Sequence, residues 1–138
     1  MGISVRGIEP MVDRWIAAPP ETVWRILVDL RFWPQWGPTV SGAEIDGDVL
    51  SLGTTGRVWT PVGVPLPFTI TEFEPGVRWV WRVAGVEATK HGVDADGDGC
   101  RVWMSAPWWA PAYLPVLAIA LRRIDALATS DQSTSPDA

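Results

Sequence analysis

Apolar residues near the C-terminus recur three or four positions apart, which places them on one face of a helix. They are Leu114, Leu117, Leu121, Ile124 and Ala128. Pro111 and Pro115 suit the beginning of this helix, because proline lacks the N–H that interior turns donate. A helix with such a wide apolar face requires a broad apolar surface to cover it, and the rest of the chain is predicted to supply one.

The uncharged run from 102 to 121 has the length of a membrane span, about 20 residues. Three prolines interrupt this run, and its first residues, 102–105, complete the pattern of the preceding strand. The part after Pro111 is too short to cross a bilayer. The sequence therefore predicts no integral membrane segment.

Most of the remaining chain alternates apolar and polar positions over short stretches bounded by Gly, Pro and Asp, which is typical of strands. The first strand is predicted at 11–16, after a start without a clear element. A helix begins at Pro20, and a short aromatic helical turn follows near 33–36. The later strands are predicted at 40–45, 50–52, 56–62, 68–73, 77–83, 86–93 and 100–106.

Strands joined by tight turns pair antiparallel, and strands that are segregated from helices indicate an α+β fold. A sheet of this size curls, so we expect a curved antiparallel sheet wrapped around the long C-terminal helix. Two short helices follow the first strand. The sequence predicts one domain over residues 1–128. The polar residues 129–138 have nothing to bury and are expected to be disordered.

Composition and charge exclude some classes of function. The net charge of −5 offers no basic surface for nucleic acid. The single cysteine, Cys100, excludes an internal disulfide and agrees with a reducing compartment. The N-terminal residues contain no continuous apolar segment of the kind that secretory signals have. We therefore expect a cytoplasmic protein, and no cofactor is indicated.

Several local motifs resemble the polyketide cyclase/dehydrase and lipid-transport superfamily, which has the START-like or SRPBCC helix-grip fold. The matching stretches are residues 16–24 (IAAPPETVW), 33–36 (WPQW), 70–79 (ITEFEPGVRW) and the terminal helix with Leu121, Arg122 and Arg123. The resemblance covers most of residues 11–128 and implies a cavity between sheet and helix for a lipid, sterol, polyketide or other apolar molecule. The superfamily has no universal catalytic motif, so the reaction type does not transfer.

The chain contains ten tryptophans, and each brings a large rigid apolar surface with one N–H donor. For any single tryptophan, core packing is a better explanation than cavity lining. As a group they are hard to pack without leaving space for a ligand. The residues predicted to bind the hydrophobic small molecule are Trp33, Trp36, Trp59, Phe68, Ile70, Trp79, Trp81, His91, Met104, Tyr113 and Leu117.

His91 is the only histidine and shares strand parity with Thr89 and Val93. A histidine in a cavity can act as a general acid or base near neutral pH, which makes His91 the one catalytic candidate. The alternative is a hydrogen-bonded or solvent-facing residue near a hairpin end. With one histidine and one cysteine, a zinc site is not expected.

The acidic run at 94–99 imitates the start of a calcium loop, but Ser105 stands where that motif requires a glutamate. A polar hairpin turn therefore explains the run better, and no metal site is predicted. Glu72 has the strand parity of Ile70, which suggests a buried acid paired with Arg57 or Arg82. Cys100 has no activating neighbour and is expected to be inert. Trp108 and Trp109 suggest an interface if they are exposed.

The first hypothesis on function is binding or carriage of a hydrophobic small molecule, lipid or polyketide-like, between the sheet and the C-terminal helix. The second is a cyclase or dehydratase-type enzyme that confines its substrate in the same cavity and uses His91 as acid or base. A stress-response or protein-interaction module with the same fold is a third class. The sequence alone does not identify the ligand or the oligomeric state.

Overall fold

The computed structural model describes the backbone of residues 2–6, 9–107 and 110–133, and the side chains of residues 10–107 and 110–130. The helices are α1 (Pro20–Val28), α2 (Trp33–Trp36) and α3 (Leu114–Ser133), with single 3₁₀ turns at Leu30–Phe32 and Pro111–Tyr113. The strands are β1 (Gly2–Arg6), β2 (Glu9–Ile16), β3 (Gly42–Ile45), β4 (Thr55–Trp59), β5 (Pro65–Glu74), β6 (Arg78–Val83), β7 (Val86–Asp96) and β8 (Gly99–Ser105).

The strands form one curved antiparallel sheet of eight strands in the order β1-β2-β8-β7-β6-β5-β4-β3. Strand β2 pairs with β8, so Val12 lies opposite Met104, and the last strand joins the N-terminal hairpin to the meander β3–β8. Tight hairpins connect β5 through β8. The predicted α+β helix-grip architecture is confirmed.

Two strand predictions differ from the structure at the level of single elements. Residues 2–6 form β1, which pairs with β2, although no element was predicted before Met11. Conversely, the residues predicted as a strand at 50–52 form a turn, in which the Ser51 N–H donates to the Thr54 hydroxyl at 2.9 Å. Leu50 is buried there without belonging to a strand. In both places long-range pairing, rather than local alternation, decides whether the backbone joins the sheet.

Helix α1 begins as its sequence predicts, with Pro20 in the first turn and Glu21 near the positive end of the helix dipole. Its apolar face buries Val23, Ile26 and Leu27. The carbonyl groups at its C-terminal end need donors from outside the helix. The indole N–H groups of the two tryptophans of α2 supply them: that of Trp33 donates to Leu27 O and that of Trp36 to Ile26 O, each at 2.9 Å.

Helix α3 packs against β2, β8, α1 and α2. The side chains it buries fully include those of Leu121, Ile124 and Ala128. A hydrogen bond from Arg14 Nε to Asp125 Oδ2, 2.6 Å long, joins the helix to β2. Across the described residues, no helix combines the length and apolar character that crossing a membrane requires.

The helix also continues further than predicted. Its backbone remains helical to Ser133, five residues beyond the expected end at Ala128. The Thr129 hydroxyl donates to the Asp125 carbonyl oxygen at 2.8 Å. This hydrogen bond lies within the helix and does not depend on apolar packing. The part of the predicted disordered tail at 134–138 lies outside the described residues.

The prediction that Glu72 is a buried acid is wrong. A β-bulge between Ile70 and Glu72 leaves Thr71 without a partner on β6, so alternation along β5 changes at this point. Glu72 consequently faces solvent, with its side chain 51% exposed, and pairs with Arg78 instead of Arg57 or Arg82. Arg57 pairs with Glu44 across β3 and β4.

Candidate ligand cavity

An apolar cavity of about 360 Å³ lies where strands β4–β7 meet the loop after α2 and the segment that leads into α3. Apolar and aromatic side chains form most of its wall. The lining residues are Thr39, Val40, Val58, Trp59, Thr60, Leu66, Trp81, Val83, Val86, Glu87, Ala88, Thr89, Pro107, Ala110 and Tyr113. Two other grooves, of about 480 and 820 Å³, run beside α1 and are bordered by the charged residues Arg25, Asp29 and Arg31.

A smaller cavity of about 40 Å³ lies further inside, beneath α2 and α3. It shares Thr39, Val40, Trp81, Thr89 and Tyr113 with the outer cavity, so the two spaces adjoin. Helix α3 contributes Val116, Leu117 and Ala120 to its wall. Helix α3 packs on β2 and β8, and beside it the ring of Trp33 packs on Phe68 of β5 and Trp81 of β6.

The predicted binding residues separate into three groups. Trp59, Trp81 and Tyr113 line the outer cavity. Trp33, Trp36, Trp79, His91 and Leu117 line the inner one, together with Trp81 and Tyr113. Phe68, Ile70 and Met104 line neither cavity and are buried in the core. Phe68, for example, packs beneath Trp33 and Trp81, with ring centroids 5.8 and 5.4 Å away.

A stack of three rings forms the floor of the inner cavity. Trp33 and Trp79 are nearly parallel, with ring centroids 5.2 Å apart. His91 stacks on Trp79, with ring centroids 3.9 Å apart. Trp81 meets this stack edge-on, 5.5 Å from both Trp33 and Trp79. Such rigid aromatic contacts hold the wall in one shape.

A chain of hydrogen bonds connects this floor to the outer cavity. Trp81 Nε1 donates to Thr89 Oγ1 at 3.0 Å, and the same hydroxyl lies 3.0 Å from His91 Nε2. His91 Nδ1 lies 3.4 Å from the carbonyl oxygen of Trp79. Burial lowers the pKa of His91 from 6.5 to about 3, because a positive charge there would lack water, and the imidazole is neutral at pH 7.

Other polar groups stand at the edge of the outer cavity. The hydroxyl groups of Thr39 and Tyr113 share a hydrogen bond of 2.8 Å. Thr60 Oγ1 accepts the Val64 N–H at 3.1 Å. Glu87 is exposed and is the one charged side chain among the described residues that line either cavity.

The sequence interpretation did not select the four polar lining residues Thr39, Thr60, Glu87 and Thr89. A signal for Thr89 existed, since it shares strand parity with His91 and lies two positions before it. Thr39 and Thr60 lie in loop segments next to strands, where alternation carries no information about direction. Which residues surround Thr39 and Thr60 depends on the tertiary fold.

Cys100 is buried, and burial raises the pKa of its thiol to about 11, so the group stays protonated and unreactive, as predicted. The acidic run at 94–99 lies at the hairpin between β7 and β8, where Gly97 and Asp98 form the turn and the other residues end or begin the strands. No group of His, Cys, Asp and Glu within the described part of the chain is placed to hold a metal ion. Trp108 and Trp109 lie outside the described residues.

A curved sheet gripped by a long C-terminal helix, with the main apolar cavity beside that helix rather than between helix and sheet, defines a helix-grip protein. A sequence model of the family described as polyketide cyclase / dehydrase and lipid transport matches residues 12–128. The chain therefore belongs to this family, as the motifs predicted. Among curated proteins, none matches it.

Several solved structures share the fold. Protein NE0264 from Nitrosomonas europaea has a TM-score of 0.68 and 17% sequence identity, with 94% of this chain and 99% of that one covered. Ms6760 from Mycobacterium smegmatis has a TM-score of 0.66 and 18% identity, with 94% and 98% covered. DynU16, a protein in the dynemicin biosynthetic locus, has a TM-score of 0.65 and 19% identity, with 87% of this chain and 47% of that one covered. These identities establish a common fold and no more.

Proposed function

We propose that this protein binds and carries a hydrophobic small molecule, a lipid or a polyketide-like compound, in the outer cavity. The observation that carries the proposal is the apolar space of about 360 Å³ beside the aromatic floor. Ligand sites in proteins typically measure about 300–1,000 Å³ and combine apolar walls with a few polar groups. Membership in a family of cyclases, dehydrases and lipid-transport proteins supports the same reading. The single buried cysteine agrees with a cytoplasmic location.

The alternative is an enzyme that uses His91 as a general acid or base. The geometry supports this role less well than binding, because both ring nitrogens of His91 already have polar neighbours. Its pKa near 3 also leaves almost no protonated imidazole at neutral pH to act as an acid. We therefore favour carriage over catalysis.

The first experiment is native mass spectrometry of the purified protein, followed by organic extraction. We expect an adduct of defined mass that the solvent removes. A cavity-filling variant, Val83→Trp, should lose this adduct, because Val83 lines the cavity and the indole would occupy much of its volume.

The matched control is Val62→Trp, which adds the same ring at an exposed position outside the cavity wall and should retain the adduct. An unliganded mass for the wild-type protein, together with no thermal shift across a panel of lipids and aromatic polyketides, would contradict the proposal. Retention of the adduct by both variants would place the ligand outside this cavity.

A further inference from the structure

The hydrogen-bond chain beside the cavity has a defined direction. The carbonyl oxygen of Trp79 accepts hydrogen bonds and cannot donate them, so the neighbouring Nδ1 of His91 carries the proton. The opposite tautomer would set a nitrogen lone pair against that carbonyl oxygen. Nε2 of the neutral ring is therefore the acceptor, and the Thr89 hydroxyl donates its proton to it across 3.0 Å.

Thr89 is consequently left with acceptor capacity only. A threonine hydroxyl has one proton and two lone pairs. The proton is directed to His91, and one lone pair accepts the Trp81 indole N–H. One lone pair of Thr89 Oγ1 remains, on a residue that is 8% exposed and lines both cavities. A ligand group that meets this oxygen must be a hydrogen-bond donor.

The charges around the cavity also favour a neutral ligand. Among its described lining residues there is no lysine or arginine, and the one charged residue is the acidic Glu87. A carboxylate ligand would lose its water without gaining a cation. A neutral hydroxyl loses less hydration and finds an acceptor.

On the basis of the proposed function, we infer that the ligand is a neutral, hydroxyl-bearing apolar molecule whose O–H donates to Thr89 Oγ1. Free fatty acids and other carboxylates are expected to bind much more weakly. Thr89 is thus the residue that selects the polar end of the ligand, while the aromatic floor and the apolar walls hold the remainder.

Three probes with the same ring system test this inference by isothermal titration calorimetry at pH 7. They are 2-naphthol, a neutral donor; 2-methoxynaphthalene, neutral without a donor; and 2-naphthoate, an anion. We expect 2-naphthol to bind roughly twofold to tenfold more tightly than its methyl ether, the range for one neutral hydrogen bond. The carboxylate should bind at least about a hundredfold more weakly than 2-naphthol, because its charge is buried without a partner.

Variants of Thr89 test whether the preference for 2-naphthol depends on its side-chain oxygen. Thr89→Val should abolish the preference for 2-naphthol over the ether, and Thr89→Ser should keep it, because serine retains the acceptor oxygen. The matched control Thr71→Val removes a hydroxyl that donates to the Val80 carbonyl oxygen, away from the cavity wall, and should leave the preference unchanged. If Thr89→Val does not fold, as judged by circular dichroism, the probe series on the wild-type protein still decides.

Equal affinities for 2-naphthol and its ether, or tightest binding of 2-naphthoate, would overturn this inference. So would an undiminished preference in folded Thr89→Val. Each of these results leaves the proposed function intact, because a hydrophobic ligand still binds. Failure of all three probes to bind also overturns the inference, and the proposed function fails with it only when extraction yields no ligand as well.

Discussion

At the scale of single residues, burial and neighbouring groups decide which chemistry a side chain offers. His91 would titrate near pH 6.5 in water, but its position in the ring stack keeps it neutral. Thr89, an ordinary strand residue by composition, becomes a directed acceptor because its proton is used by His91. The polar character of the cavity therefore depends on hydrogen-bond direction rather than on residue type.

The stability of the protein should fall as the pH decreases from 6.5 toward 3. Over this interval the unfolded chain binds a proton at His91 that the folded chain does not, because burial lowers the folded pKa to about 3. The free energy of unfolding should therefore decrease by about 1.4 kcal/mol per pH unit below 6.5, and the full contribution is present above that value.

Urea denaturation of the wild-type protein and of His91→Phe, between pH 7.5 and 5, measures this effect. His91 is the only histidine, and carboxylates contribute little in this range because their ordinary pKa values lie at about 4. The variant is expected to be less stable at pH 7.5, since Thr89 loses its acceptor, yet to show a flatter dependence on pH. Parallel slopes for the two proteins would show that His91 is protonated in the folded state.

At the scale of elements, close approaches between neighbouring segments explain residues that periodicity leaves unexplained. The tryptophans of α2 stabilise the end of α1, because their indole N–H groups donate hydrogen bonds to its C-terminal carbonyl groups. Gly92 on β7 leaves room for a side chain of β8, because the indole ring of Trp103 occupies the space where a Cβ would stand. Glycine is thus required at this position by packing, not by backbone conformation.

The variant Gly92→Ala should destabilise the protein by about 1–3 kcal/mol, because Trp103 must move from its buried position. The matched control is Gly42→Ala on β3, where the nearest atom outside the adjacent residues lies 3.9 Å from the new Cβ. That change should be neutral or slightly stabilising, since alanine restricts the unfolded chain. Chemical denaturation compares the two variants, and a similar loss in both would refute the packing argument.

At the scale of the whole molecule, α3 holds one half of the sheet and leaves the cavity beside the other half. Its buried face packs on β2 and β8 and ends with Ala128 among the side chains that the structure describes. We propose that residues 1–128 are sufficient for the folded domain, although the helical backbone continues to Ser133.

A chain truncated after Ala128 should therefore remain folded, with a loss of at most about 1 kcal/mol, since the removed residues with described side chains are not fully buried. A chain truncated after Ala120 should unfold, because it lacks Leu121 and Ile124, each worth about 1.5–3 kcal/mol of burial. Thermal melts followed by circular dichroism test both. Unfolding of the longer chain would move the domain boundary beyond 128.

The family and the architecture could be predicted from the sequence because they depend on local signals. The spacing of Leu117, Leu121 and Ile124 predicts α3, alternation predicts most strands, and the segment at 16–24 carries the family resemblance. These signals do not depend on where a segment lies in the fold, because hydrophobic periodicity and turn-forming residues are properties of the local sequence.

The tertiary structure alone decided which residues face the cavity. One bulge turned Glu72 toward solvent, and pairing with β2 made a strand of residues 2–6. Phe68, Ile70 and Met104 have the same apolar character as the lining residues, yet they lie beneath them. Thr89 gained its role from two neighbours: His91 lies two positions along the same strand, and the β6–β7 hairpin places Trp81 beside it. The physical reason is that a cavity is a property of several segments at once, and no single stretch of sequence records where the others approach it.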